Sequence, residues 1–325
     1  MSLKNKLISP ILLAVLLVVP VIVPGYMVYI LCAIGIYYIV GLAMNVLVAQ
    51  AGQISIGHAA FWALGAYGAA VLVTRYNVPF EVAILCGGLL AAVFGFLVAI
   101  PAMRVQGHYL AIATLAFSMV VERTLHEWES VTGGRSGMFV PRPSVIGTEL
   151  VDDRSYYYVI VLISLIFTWM IYNLQRAPSG RALQALKLSP TAASSCGVNR
   201  RGSLVTVFVL SAFMTGISGG LFAHLVGYLS VSSFTLAVSL SFITMIVIGG
   251  AGRLAGAYIG AAFVVLMPEF MRGLAEAQMV VYGVVLILVI LFLPEGLAGI
   301  PGRIKSLLSR TQGGGIPVAN QQGEK

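Results

Sequence analysis

Four histidines, His58, His108, His126 and His224, are the first candidates for metal or acid–base chemistry in this chain. Their spacing argues against it. No two stand three or four residues apart, and no H-E-x-x-H occurs, so no helix face offers a ligand pair. His126 lies beside Glu127 and Glu129, which alone do not make a metal site. Residues 216–220 read G-I-S-G-G, the letters of a nucleophile elbow. That elbow needs a strand-to-helix turn. Here the letters fall inside an apolar run, where small residues serve close helix approach. The cysteines, Cys32, Cys86 and Cys196, are odd in number and widely spaced, and imply neither a disulfide framework nor a zinc cluster. None of the lysines follows a glycine, so the chain has no G-x-x-x-x-G-K-[ST] phosphate loop. The sequence therefore assigns no catalytic residue, no metal ligand and no cofactor.

The polar residues that remain sit at breaks in apolar sequence. Gln50 to His58 reads Q-A-G-Q-I-S-I-G-H. One reading is an ordinary cytoplasmic loop with a helix capped near Ser55. The other is an elbow on a translocation route, with free backbone amides, because an open backbone in lipid must be satisfied by protein or by a water-filled path. A second glycine-rich break covers 249–256. Gly52, Gln53, Ser55, Gly57 and His58, with Gly249, Gly250 and Gly252, are the candidates for path lining or hinges. Gly57-His58-Ala59-Ala60-Phe61 and Gly260-Ala261-Ala262-Phe263 share a pattern that an internal repeat would leave. Glu122, Arg123 and His224 fall near span ends, where interface anchoring explains them. No span carries an acid or base at its centre, which argues against a proton- or sodium-coupled carrier.

The elements that hold these residues follow from composition. Of 325 residues, 59% are hydrophobic and 9% charged, against about 25% charged in a soluble domain. So few charges cannot cover a water-facing surface, which excludes soluble, disordered and nucleic-acid-binding classes. The class is all-α: a polytopic integral membrane protein. Apolar stretches near 7–23, 26–49, 58–74, 80–100, 108–125, 156–174, 203–225, 236–250, 256–268 and 278–293 predict about ten transmembrane helices. The eighth to tenth are short, so eight crossings plus re-entrant segments is the variant. Lys4 and Lys6 precede the first stretch without a clear cleavage site, which reads as a retained helix. Alternating the spans puts thirteen of the 19 Lys and Arg on the inner side and predicts cytoplasmic N- and C-termini. The net charge of +8 is that inner excess. Residues 1–310 form one transmembrane domain, and 311–325 a disordered cytoplasmic tail. The outer loop, 126–155, is mostly polar. The inner segment, 178–198, carries G-R-A-L-Q-A-L-K-L, with Ala182, Leu183, Ala185 and Leu186 at helical spacing. Ser189-Pro190 breaks it, and a second short turn ends at Gly197. Its small apolar face (Ala182, Ala185, Ala192, Ala193) suits a protein groove better than lipid.

Several segments resemble a known family. G-Q-I-S-I-G-H-A-A-F-W-A-L-G-A-Y at 52–67 is similar to the signature of permease subunits of branched-chain amino acid ABC transporters. H-Y-L-A-I-A-T-L-A-F at 108–117, T-G-G-R-S-G at 132–137, the I-V-I-G-G-A-G-R-L-A-G-A-Y-I-G-A-A-F run at 246–263 and L-I-L-V-I-L-F-L-P-E-G-L-A-G at 286–299 agree, in the order of the LivM-like branch. The resemblance implies a bacterial inner-membrane, multi-pass permease subunit importing Leu, Ile, Val or related small amino acids by alternating access. It implies a second, LivH-like permease, two ATP-binding cassette subunits that bind ATP and Mg, and a periplasmic substrate-binding protein docking on the acidic outer face. It also implies that Gly180, Arg181, Ala182, Leu183, Ala192, Ala193 and Gly197 couple to the ATPase. The acidic residue the family often carries before the A-A pair is missing, since Leu188-Ser189-Pro190-Thr191 stands there. Urea, short amides and aromatic or other carboxylates are rival cargos. A stand-alone secondary carrier and a membrane scaffold without transport are the alternatives of a different class.

Overall fold

A computed structural model of the chain describes residues 16, 18–103, 108–145, 148–149 and 152–271, with 283–284, 287, 291 and 296–299 beyond them. The tail 311–325 lies outside the described residues, as do most of the spans expected at 7–23 and 278–293. The eight other expected spans are all helical. Helix α1 (Gly25–Asn45) continues into a π-helical segment, Val46–Gln50. Then come α2 (His58–Tyr76), α3 (Phe80–Ala102), α4 (His108–Glu127) and a short α5 (Glu129–Thr132). Helix α6 (Asp153–Arg176) leads to the inner segment, α7 (Pro178–Leu188) and α8 (Pro190–Ser195). Helices α9 (Arg200–Val226), α10 (Leu236–Gly249) and α11 (Leu254–Phe270) complete the series.

Five spans among the described residues are long and apolar enough to cross a membrane: Gly25–Gln50, Phe80–Pro101, Asp153–Arg176, Arg200–Val226 and Val231–Gly249. The expectation of about ten is thus reduced to five clear ones. Helix α11 is apolar but has only 17 residues. Helix α4 carries His108, Glu122, Arg123, His126 and Glu127, and α2 carries His58 and Arg75 at its ends. The span Val231–Gly249 is not one α-helix: a 3-10 turn, Val231–Phe234, precedes the 14 residues of α10.

Contacts fix the helix directions. Ile36 and Ala43 of α1 face Ser218 and Ser211 of α9, so these two run antiparallel. Cys32 and Tyr38 of α1 meet Asp153 and Thr168 of α6, so these run parallel. Asn45 meets Arg253 at one end of α1, and Tyr26 meets Glu269 at the other, so α11 opposes α1. By the same reading α2 runs with α9, α3 against α9, α4 with α2 and α10 against α11, so each described span reverses the one before it.

The core sits on α9, whose apolar window is 72% buried against 28% for α6. Glycine makes this possible. A Cβ on Gly65 would overlap the backbone of Gly216, and one on Gly219 would overlap the carbonyl of Trp62. A Cβ on Gly87 would lie 2.6 Å from Gly65 O. Helices α2, α3 and α9 thus touch backbone to backbone, the close approach that replaces hydrophobic driving force in lipid. The G-I-S-G-G letters belong to this seam. Trp62 fills the space beside it, with Phe222, Phe234 and Phe242 at centroid distances of 4.3, 5.4 and 5.4 Å.

The fold is all-α as expected, with only a few residues of strand beside the helices among the described residues. The outer loop forms two short antiparallel pairs, β1 (Met138–Phe139) with β4 (Tyr228–Leu229), and β2 (Ser144–Val145) with β3 (Thr148–Glu149). The first pins the loop onto the chain just beyond α9, giving non-helical backbone groups the partners they need. The two A-A-F segments also occupy different places. Gly57 precedes α2, whereas Gly260 lies in the second turn of α11 against the Met245 backbone.

Gly216→Val forces α9 away from α3, where Ala91 Cβ would lie 2.5 Å from the new Cβ. A loss of roughly 1–3 kcal/mol or more is expected, read as a lower unfolding temperature in detergent. The same change at Gly25, where nothing lies within 4 Å, should leave that temperature nearly unchanged.

Candidate functional site

An apolar helix has few ways to place polar groups, so the described ones are informative. Two rings of α2 hydrogen-bond to two serines of α9. His58 Nε2 lies 2.8 Å from Ser211 Oγ, and Trp62 Nε1 donates to Ser218 Oγ at 3.3 Å. Each serine passes the bond on. Ser211 donates to Ala43 O at 2.9 Å and Ser218 to Ile36 O at 2.8 Å. The rings are one helical turn apart, and the serines and the carbonyls two turns apart, so each set shares one helix face. Ser211's proton is committed to Ala43, so His58 donates from Nε2. Its Nδ1 lies 3.0 Å from Ser55 Oγ, which also accepts the Gly57 N–H at 3.3 Å. The sequence analysis missed Ser211 and Ser218. Their spacing of seven within an apolar run was the signal available.

The first glycine-rich break is packed rather than open. Ser55, Gly57 and His58 are buried, Gln53 is half-buried and Gly52 is exposed. The Gln53 amide donates to Leu47 O, the Ile56 amide to Thr114 Oγ1 and the Ala59 amide to Ser239 Oγ. These N–H groups and that of Gly57 have protein partners. The expectation of free amides for ligands fails at those positions, because a buried helix start must satisfy its donors locally. Thr114 and Ser239 were not singled out from sequence; they act through the fold alone.

The second break is a tight turn between α10 and α11. Gly249 ends α10 against the carbonyl of Gly256, while Gly250 (φ +102°) and Gly252 (φ +91°) take conformations that glycine tolerates. Asn45 joins this turn to α1. It is 2% exposed, accepts the Gly252 N–H at 2.7 Å through Oδ1 and donates to Arg253 O at 2.9 Å. The two breaks expected as path or hinge thus stand at the two ends of one five-residue π-helical segment. Gly250 also packs near Gly296.

The inner segment folds as read, a helix, a break and a second short helix. Ser189 caps α8, its Oγ accepting the Ala192 N–H at 3.3 Å, at the place where the family's acid is missing. The apolar face differs from the expected one. Gly180, Leu183, Leu186 and Ala193 are buried against the bundle, and Ala182 is half-buried. Arg181, Ala185, Ala192, Gly197 and Leu188 face outward, Leu188 at 87% exposure. Heptad-like letters alone could not tell which of two apolar stripes meets the bundle.

At the other end, Arg123 pairs with Glu127 at 3.4 Å, both well exposed. His126 accepts from Arg135 Nε at 3.1 Å. His224 departs from the interface-anchor reading. It is 4% exposed and bonded to Pro141 O at 3.0 Å, holding the outer loop. Among the described residues, no group of three or more His, Cys, Asp or Glu is placed to hold a metal.

Residues 26–290 match the family described as the branched-chain amino acid transport system permease component. The chain belongs to that family. It is 32% identical over 320 residues to the high-affinity branched-chain amino acid transport system permease protein LivM of Escherichia coli (strain K12), covering 91% of this chain and 75% of the relative. LivM of Salmonella typhimurium (strain LT2) matches at the same identity and coverage. The fructose import permease protein FrcC of Rhizobium meliloti is 24% identical over 239 residues, covering 71% of this chain and 64% of the relative. No solved structure matches the chain. Membership makes this a transport permease, a multi-pass protein of the bacterial inner membrane.

Ser211→Ala leaves His58 Nε2 without its partner in the core and takes from Ala43 O the second of its two donors, the other being the Val46 N–H. It should destabilise by about 1–3 kcal/mol, measured by denaturation in detergent. Ser241→Ala, which removes only a bond within its own helix, should change stability by less than about 0.5 kcal/mol.

Proposed function

We propose that this chain forms one half of a translocation path for Leu, Ile, Val or related small amino acids, in an ATP-driven importer. The remaining parts are a second, LivH-like permease, two ATPase subunits that bind ATP and Mg, and a periplasmic binding protein. The relatives named for branched-chain amino acid transport support the cargo. This chain makes about ten crossings with both termini cytoplasmic. The eight described spans support this: they alternate, α1 starting outside and α11 ending there. The further span that the sequence predicts at each end, at 7–23 and 278–293, would return both termini to the face that carries α7 and α8.

The observation that carries the coupling is the exposed edge of the inner segment. Leu188, Ala185 and Ala192 form an apolar, largely small-residue edge on the cytoplasmic side. Apolar side chains presented there by two short helices fit a groove on a soluble partner, and Arg181 flanks it, while Lys187 turns inward onto Ala49 O. The buried set, Gly180, Leu183 and Ala193, with half-buried Ala182, ties the same segment to the bundle, so a push on the edge is transmitted rather than absorbed. Gly197 (φ +82°) ends α8 and returns the chain to α9. Gly52, Gln53, Ser55, Gly57 and His58, with Gly249, Gly250 and Gly252, act as hinges and hinge supports. Their packing and mutual ties favour that role over lining an open path. On the opposite face, the binding protein meets the outer loop around Glu127 to Asp153.

Leu188→Asp with Ala192→Asp places two carboxylates on the exposed edge without touching the buried one. A tagged chain carrying both should still bring down the second permease from native membranes but lose the ATPase. Undiminished recovery of the ATPase would overturn the coupling role of this edge.

A further inference from the structure

We infer that Lys187 is a positioning residue for transport, which hands motion of the inner segment to the first glycine-rich break through the carbonyl of Ala49. The inference rests on the coupling role just proposed for α7 and α8. Lys187 lies on α7, yet its Nζ donates to Ala49 O at 2.7 Å, within the π-helical segment. Its stem lies against Gly52. A Cβ at that glycine would meet Lys187 Cγ at 3.1 Å, with Cβ and Cδ both at 3.7 Å. Gly52 (φ +67°) is thus the residue that lets the stem cross the chain. This is an ammonium capping a helix C-terminal carbonyl, where the helix dipole favours a cation.

What Lys187 holds is an element with two arrangements in reach. A π-helical turn carries one residue more than an α-helical turn, and such bulges recur at functional positions in helices. Here the Ala51 amide closes the turn on Val46 O, and the Gln53 amide reaches back to Leu47 O. Gln50 ends the segment, 3% exposed, with both amide atoms buried and unpaired. A buried unpaired amide is costly. Rewinding the segment by one residue turns Gln50 by about 100° about the axis and takes its amide out of that position. Asn45 stands at the start of the segment, bonded to the backbone of Gly252 and Arg253. Rewinding therefore acts on the α10–α11 turn as well as on the start of α2. Lys187 is the described contact between α7 and this segment that is both charged and directional, so it selects which arrangement is held.

The test uses the complete importer, purified with its ATPase, second permease and binding protein and placed in vesicles. Lys187→Met keeps the stem and removes the donor; Lys187→Arg keeps a donor. With Lys187→Met, the ATPase should still co-purify and hydrolyse ATP on addition of loaded binding protein. Uptake per ATP should fall by about tenfold, and Lys187→Arg should restore the ratio. Wild-type uptake per ATP in Lys187→Met would overturn the inference, as would failure of Lys187→Arg to restore it. Loss of the ATPase from Lys187→Met would make Lys187 a docking residue and overturn it too. If the unaltered chain brings down no ATPase, the coupling role itself is overturned, and this inference with it.

Discussion

Backbone and side-chain polar groups inside lipid must find partners within the protein. In this chain that constraint is met at the α1–α2–α9 seam by two ring N–H groups, two serines and two helix carbonyls. His58 and Trp62 donate to Ser211 and Ser218, which donate to Ala43 and Ile36. Three helices are thereby held in one register. The other packing depends on that register. The glycine contacts of Gly65, Gly216 and Gly219 exist only if α2 and α9 approach within backbone contact. The aromatic cluster around Trp62 forms only if its indole is held against Ser218.

The same constraint explains why the breaks are tied down. Leaving the helix at Gln50 exposes donors and acceptors at membrane depth. The fold answers with Ser55, Thr114 and Ser239 on one side and with Asn45 and Lys187 on the other. The first three make a rigid start for α2. The last two connect the segment to parts that must move if the protein alternates its access. One polar interior thus ties the break to α4 and α10 on one side and to α7 and the α10–α11 turn on the other. The Gln50 side-chain amide between them is buried without a hydrogen-bond partner among the described residues.

The inner segment shows how the same helix serves two surfaces. Leu183 and Leu186 are buried under it while Leu188 is almost fully exposed. Ser189 and Pro190 separate α7 from α8, so the two helices present different faces without straining either backbone. A segment so anchored stays tied to the bundle instead of fraying from it. Its hydrogen bond to the π-helical segment is made by a single long side chain, that of Lys187.

Much of this was legible in the sequence. Sparse charge and long apolar runs determined a multi-pass helical membrane protein, because lipid admits few other ways to satisfy a spanning backbone. The Gly-rich breaks and the Ser189-Pro190 interruption marked where helices stop, since glycine and proline act locally. The quoted motifs placed the chain in its family. The tertiary structure alone decided which apolar stripe of α7 is buried, that His224 holds a loop instead of an interface, and that the Gln53, Ile56, Gly57 and Ala59 amides are engaged. It alone brought Asn45 to Gly252, Ser211 to His58 and Lys187 to Ala49. These pairs are between 138 and 207 residues apart. Local propensity has no term for such partners; the close backbone approach of glycine-lined helices, and the need to leave no polar group unpaired, selected them.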